Sequence, residues 1–186
     1  MSEIILISII VAAAASVGGL ISIYAKEEME QYEKQINYFE MILSLIPLFF
    51  IFLIYKGFIP VIFLVIGIIT IFILTKSLFH DLFDKYTRTI IFGIILGILL
   101  SFQRNTAFIF GTFVALYNII KGSKIGHYYK SKRVNIFKKI GNFQALFIIS
   151  ALLGFYLLSF PIIRVFVLYF SVGVIITLTF KDNKKN

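Results

Sequence analysis

The chain has 186 residues, 60% of them hydrophobic, and a formal net charge of +9. Soluble domains are roughly half apolar, so this is the composition of an integral membrane protein of single-domain length. The basic residues crowd beside apolar runs, so we expect anionic lipid headgroups rather than nucleic acid as their partners. The lack of cysteine excludes disulfides, thiolate metal sites and a cysteine nucleophile.

The first apolar run, residues 4–24, is long enough to cross a bilayer, since about 20 apolar residues span roughly 30 Å of hydrocarbon. Its small residues between Ala12 and Gly19 offer a surface that another helix can approach closely. Further spans are predicted at 41–55, 58–75, 143–160 and 162–180.

Residues 25–40 are polar but have a helical pattern. Apolar side chains recur there at spacings of three and four residues, at Met29, Tyr32, Ile36, Phe39 and Leu43. This predicts an amphipathic helix outside the bilayer that runs into the second span, with its apolar stripe on the membrane surface or on a neighbouring helix.

The apolar stretch 89–120 is too long for one ordinary span and short for two, and Gln103, Arg104 and Asn105 interrupt it. It is either a hairpin of two short helices that turns at these residues, or one long tilted helix with an arginine deep in the membrane. Gly93 and Gly97 supply a GxxxG packing face in both cases.

The distribution of the basic residues decides between these topologies, and seven of the 18 lie in the segment 121–142, which holds no acid. The hairpin gives seven spans with fifteen basic residues inside and three outside, whereas the long helix gives six spans with eleven against six. The positive-inside rule favours the first. We therefore expect an all-α bundle of seven transmembrane helices in the plasma membrane of a prokaryote, with the N-terminus outside. Segment 25–40, a basic loop at 121–142 and a basic tail at 181–186 would then be cytoplasmic.

A weak internal similarity relates the second and third spans to the sixth and seventh. It suggests a three-plus-one-plus-three arrangement of parallel repeats, which is the plan of some small-solute carriers.

His80, Asp81 and Asp84 form the only local cluster of acids and histidine. On a helix these spacings bring the three near one face, where they could hold a metal ion or act as an acid and base pair. The alternative is an interfacial turn whose carboxylates are solvated or paired with Lys85 and Arg88. We expect no resident metal or cofactor, because the two histidines fit no multi-histidine centre.

Gln103, Arg104 and Asn105 are the candidate substrate path. Short apolar segments that meet at polar residues are typical of broken helices along a path, and an arginine there could bind an anion. The alternative is an external turn whose arginine reaches the headgroups.

The basic loop interleaves lysines with apolar residues, as in a helix on an anionic membrane surface. We expect lipid headgroups at five basic residues, although the loop could also dock a protein partner: Lys130, Lys132, Arg133, Lys138 and Lys139.

These patterns leave three functions open. The first is a small transporter or channel-like protein with its path near 103–105. The second is a membrane-embedded enzyme that acts on a lipid-linked substrate through His80, Asp81 and Asp84. The third is a non-catalytic subunit of a membrane complex or a homo-oligomer.

Overall fold

The computed structural model describes residues 2–54, 65, 66, 69, 80–128, 133–157 and 161–182, and these residues form helices without any strand. Seven helices are bounded within them: α1 (Ser2–Tyr24), α2 (Lys26–Gln31), α3 (Glu33–Ile54), α4 (His80–Phe102), α5 (Arg104–Tyr128), α6 (Arg133–Leu157) and α7 (Pro161–Asp182). Most of the predicted third span, the repeat that depends on it, and the end of the predicted tail lie outside the described residues.

Three helical segments in the described part of the chain are long and apolar enough to cross a membrane, namely Glu3–Tyr24, Arg104–Tyr128 and Ile136–Tyr156. Two shorter apolar segments accompany them, Tyr86–Ser101 and Val165–Ile175. The all-helical class predicted from the sequence is therefore confirmed for these residues, and their composition is that of a membrane-associated protein.

The predicted amphipathic helix at 25–40 is two helices rather than one. Ala25 precedes the first of these helices, and Tyr32 separates the first from the second. At both residues the backbone leaves helical geometry (φ −106°, ψ 50° and φ −105°, ψ 19°). After the second break α3 continues into the predicted second span, as expected. The predicted stripe is only partly buried, because Met29 and Leu43 are buried whereas Phe39 is exposed.

The chain reverses direction between α4 and α5, so residues 89–120 are a hairpin and not one long helix. Phe92 on α4 lies 5.0 Å, between ring centroids, from Tyr117 on α5, although 25 residues of one straight helix would separate them by about 37 Å. Phe92 also contacts Phe110 edge to face, with ring centroids 6.1 Å apart. Gln103 is the single residue between the two helices.

The closest packing joins α1 to α5, which run parallel. A Cβ atom on Gly122 of α5 would collide with the backbone carbonyl of Ala15 on α1, and one on Gly126 would collide with the Ser22 hydroxyl. Ser123 Oγ donates to the Gly18 carbonyl at 2.9 Å. The predicted small-residue face of the first helix is thus confirmed as a packing surface.

A second interface of this kind joins α4 to α6, which also run parallel to each other. A Cβ on Gly97 would collide with the Ala151 carbonyl, and Gly93 packs on Phe147 and Ser150, so the predicted GxxxG face is confirmed. Gln144 of α6 donates to Ser16 of α1 at 2.6 Å. The α4/α6 pair therefore runs antiparallel to the α1/α5 pair.

The segment predicted as a basic loop, 121–142, is mostly helical. Helix α5 extends to Tyr128 and α6 begins at Arg133, which leaves only 129–132 outside the described residues. The physical reason is that Gly122, Ser123 and Gly126 pack against α1, so tertiary contacts continue the helix through a polar sequence.

Candidate functional site

Four charged side chains from three helices meet at the open end of the α4–α5 hairpin. Helix α3 supplies Glu40, α4 supplies Arg88, and α5 supplies Lys121 and Lys124. The two lysines are three residues apart, which puts them on one face of α5. We call these four residues the Glu40 cluster.

Both oxygens of the Glu40 carboxylate accept hydrogen bonds from lysines. Lys121 Nζ donates to Oε1 at 3.1 Å, and Lys124 Nζ donates to Oε2 at 2.5 Å. Arg88 Nη1 lies 3.9 Å from Oε1. One carboxylate therefore faces three cations. Its two hydrogen bonds with the lysines are charge-assisted, and such bonds are stronger than hydrogen bonds between neutral groups.

The four side chains of the Glu40 cluster differ in how much of their surface is exposed. The side chains of Glu40 and Arg88 are only 6% and 8% exposed, whereas Lys121 and Lys124 are 23% and 36% exposed. Burial alone would raise the pKa of the Glu40 carboxyl, but Lys121, Lys124 and Arg88 outweigh it and lower this pKa from 4.5 to about 2. Glu40, which precedes the predicted second span, is therefore held as an anion.

A layer of aromatic residues separates this cluster from the other end of the hairpin. Tyr117 lies one helical turn before Lys121, and its ring is fully packed against Phe92, which in turn contacts Phe110. Asn118 beside it is buried and donates to the Val11 carbonyl of α1 at 2.9 Å. The helices are thus closely packed immediately beneath the charges.

The predicted path residues lie at the turn end of the hairpin. Gln103 Oε1 accepts a hydrogen bond from Thr106 Oγ1 at 3.1 Å, and Asn105 is exposed. Arg104 is 75% exposed and lies 3.6 Å from Glu3 of α1, which is 72% exposed. The structure therefore does not bring them together with the Glu40 cluster, which is at the opposite end of α5.

His80, Asp81 and Asp84 lie in the first turns of α4, but their side chains are outside the described residues. Among the side chains that the structure does describe, no three histidines or acids are grouped as they would be around a metal ion. The acid and histidine pattern therefore remains a prediction.

The predicted headgroup-binding residues are only partly described. Lys130 and Lys132 lie outside the described residues, as does the side chain of Arg133. Lys138 is exposed and Lys139 is half-buried on α6. The binding of anionic lipid by these residues remains a prediction.

The sequence patterns did not single out Glu40 or Arg88 as functional residues. One signal was present, because Glu40 occupies a position on the apolar stripe, four residues after Ile36 and three before Leu43. An acid on a face that is otherwise buried predicts a partner on another helix. The sequence around Glu40 does not indicate which residue that partner is.

Comparison of the chain with protein-family models, with curated proteins and with solved structures found no match.

Proposed function

We propose that the protein is a small multi-pass membrane carrier of an anionic solute, and that the Glu40 cluster is its binding site. The observation that supports this proposal is the gathering of three cations around one buried carboxylate. Ionisable side chains that are buried between helices are costly, and groups whose pKa is shifted by burial and by charged neighbours are candidates for a functional site. The two lysines of the cluster are partly exposed, and positive charges at an accessible site attract an anion.

The proposed carrier works by alternating access rather than as an open channel. Phe92, Phe110 and Tyr117 fill the space between the Glu40 cluster and the turn end of the hairpin. An anion bound at the cluster would therefore reach the other side only after α4 and α5 move apart. Gln103, Arg104 and Asn105, at the turn end, are the proposed exit of the path.

The proposed topology has seven spans, with the N-terminus outside and the basic segment 121–142 in the cytoplasm of a prokaryotic cell. The alternating directions of α4, α5 and α6, and the parallel course of α1 and α5, support the order of the spans, and the positive-inside rule supports their orientation. Since the native chain has no cysteine, single cysteines can report each side. We expect an impermeant thiol reagent to label Arg104→Cys only from outside and Lys138→Cys only from inside, and the reverse pattern would contradict the orientation.

The transport proposal is tested by the uptake of radiolabelled phosphate into proteoliposomes. We expect uptake with the wild-type protein, and its loss in Lys121→Gln and in Arg88→Gln. Lys34→Gln is the matched control, because it removes one positive charge from an exposed position on α3. Absence of uptake for phosphate and for other small anions, with correctly folded protein, would overturn the proposal.

A second candidate is a membrane enzyme that acts on a phosphate-bearing lipid. It is favoured by one observation, namely that Asp81 and Asp84 begin the same helix that carries Arg88, at helical spacings of seven and four residues before it. Release of phosphate from phosphatidic acid, lost in Asp81→Asn and in Asp84→Asn without loss of folded protein, would support it. Wild-type activity of both variants would end this candidate.

The basic residues of α6 and of the segment before it are proposed to bind anionic headgroups at the cytoplasmic surface, as the sequence predicts. Lys138, which is exposed, is the described residue best placed for this role. Such contacts are expected to weaken with salt.

A further inference from the structure

Helices α1, α4, α5 and α6 form two pairs, and the two helices of each pair interlock through their backbones. In the α1/α5 pair, a Cβ atom on Gly122 would collide with the Ala15 carbonyl. In the α4/α6 pair, a Cβ atom on Gly154 of α6 would collide with the Ile94 carbonyl of α4. Helices in such close contact cannot tilt against each other without steric overlap. Each pair is therefore expected to move as one rigid unit.

The two pairs contact each other differently where α4 meets α5. The ring of Phe92 packs against Tyr117 and Phe110. A Cβ atom on Gly111 of α5 would lie 3.5 Å from the Leu96 side chain of α4, which is an ordinary van der Waals distance. Large side chains can change rotamer when two helices separate, whereas interlocked backbones have no such freedom. The contact between α4 and α5 is therefore the one at which the two pairs can part.

A second contact between the pairs joins α1 to α6. Gln144 Nε2 of α6 donates to Ser16 Oγ at 2.6 Å and to the Ala12 carbonyl at 3.2 Å, both on α1. The side chain of Ile140 on α6 packs over Gly19 of α1. A hinge along α1 and α6 would keep these contacts while α4 and α5 separate.

The Glu40 cluster connects the two pairs at the open end of the α4–α5 hairpin. Glu40 lies on α3, which belongs to neither pair. Its carboxylate accepts hydrogen bonds from Lys121 and Lys124 of α5, and Arg88 Nη1 of α4 lies 3.9 Å from it. Since α4 and α5 are joined at Gln103, they can part most widely at this end. Such a separation must lengthen at least one of the contacts with Glu40.

We infer that Glu40 holds two rigid helix pairs together, and that release of its contacts with α5 lets α4 and α5 part at the open end of the hairpin. The use of this movement in transport rests on the proposed carrier, which requires α4 and α5 to move apart. The movement itself requires no solute. Tyr117 lies immediately beneath the charges, so opening would expose it.

The test measures how fast single cysteines react with N-ethylmaleimide in protein held in nanodiscs. Tyr117→Cys reports the contact between the pairs, Ser123→Cys reports the α1/α5 pair, and Ser150→Cys reports the α4/α6 pair. The three native side chains are 1%, 5% and 3% exposed, so each cysteine should react slowly while its contact is closed. Each reporter is compared with and without Lys121→Gln, which removes one of the hydrogen bonds to Glu40.

We expect Lys121→Gln to speed the reaction at position 117 at least about tenfold, since a charge-assisted hydrogen bond no longer opposes opening. The rates at positions 123 and 150 should change less than about twofold, because the pairs stay closed. Loss of a nearby positive charge favours the thiol over the reactive thiolate and would by itself slow the reaction. A faster reaction therefore reports opening. The matched control Lys34→Gln, at an exposed position of α3, should leave all three rates unchanged.

An unchanged rate at position 117 would overturn the role of Glu40. A rise at position 123 or 150 as large as that at 117 would mean that the whole bundle loosens, and would overturn the two rigid pairs. If Lys121→Gln does not fold, Lys124→Gln decides in the same way, and Phe92→Cys replaces Tyr117→Cys if that reporter does not fold.

The labelling experiment is independent of transport. Phosphate uptake by the wild type, together with unchanged labelling at position 117 in Lys121→Gln, would refute this inference and leave the carrier proposal standing. The expected labelling in a protein that takes up no anion would do the reverse.

Discussion

The two ends of the α4–α5 hairpin both pair an arginine with a glutamate, in opposite environments. At the turn end, Arg104 and Glu3 are about three-quarters exposed and 3.6 Å apart. At the open end, Arg88 and Glu40 are almost completely buried, and two lysines join them. Exposed pairs contribute little to stability, whereas removing one partner of a buried pair leaves an uncompensated charge. The same pair of residue types is therefore expected to contribute strongly to stability only at the open end of the hairpin.

Removing the acid at each end tests most directly whether the two ends differ in their contribution to stability. We expect Glu40→Ala to lower the free energy of unfolding by about 3–5 kcal/mol, because Lys121, Lys124 and Arg88 then lose the buried carboxylate that they share. Glu3→Ala, the matched change at the turn end, should cost less than about 1 kcal/mol. Thermal unfolding in detergent measures both, and equal losses would show that burial does not distinguish the two ends.

The second prediction tests the close packing beneath the open end. Gly122 lies between Lys121 and Ser123, and any Cβ there meets the rigid backbone of Ala15. Gly122→Val should therefore push α1 from α5 and destabilise the protein by about 1–3 kcal/mol.

The control for this packing is Gly141→Val on α6, where an added Cβ meets nothing within 4 Å. This change should be close to neutral, because glycine is a poorer helix former than valine. The melting temperatures of the two variants give the difference. Similar melting temperatures would contradict the α1/α5 contact.

The difference between the two ends also explains what the sequence could predict. Most of the helices and the small-residue faces follow from local patterns of apolarity and glycine, whereas the reversal at Gln103 follows from the distribution of basic residues along the whole chain. In the Glu40 cluster, Glu40 pairs with Lys121 and Lys124, which follow it in the sequence by 81 and 84 residues. No local pattern in the sequence indicates such a contact. The charges of Lys121 and Lys124 are visible in the sequence and predict a loop, whereas the packing that extends α5 past them is not visible there. The signal available was the acid on the apolar stripe of α3.

The third prediction uses acid to weaken the buried end, and between pH 7 and pH 5 its effect should be smaller than that of either substitution. The Glu40 carboxyl has a pKa of about 2 in the folded protein, against 4.5 as its ordinary value. A lowered pKa in the folded state means that the carboxylate stabilises the fold fully above pH 4.5 and that this contribution is lost as the pH falls toward 2. Between pH 7 and pH 5, therefore, little of it should disappear.

Thermal unfolding of the wild-type protein and of Glu40→Gln, followed from pH 7 down to pH 2, checks this prediction. The other acids titrate in both proteins, so the difference between the two melting curves isolates Glu40. We expect the advantage of the wild type to shrink only below pH 4.5, and Glu33→Gln, which changes an exposed acid of the same helix, to follow the wild type throughout. An advantage that vanished near neutral pH would mean that Glu40 takes up a proton in the folded protein. Lys121, Lys124 and Arg88 would then face a neutral carboxyl group instead of an anion.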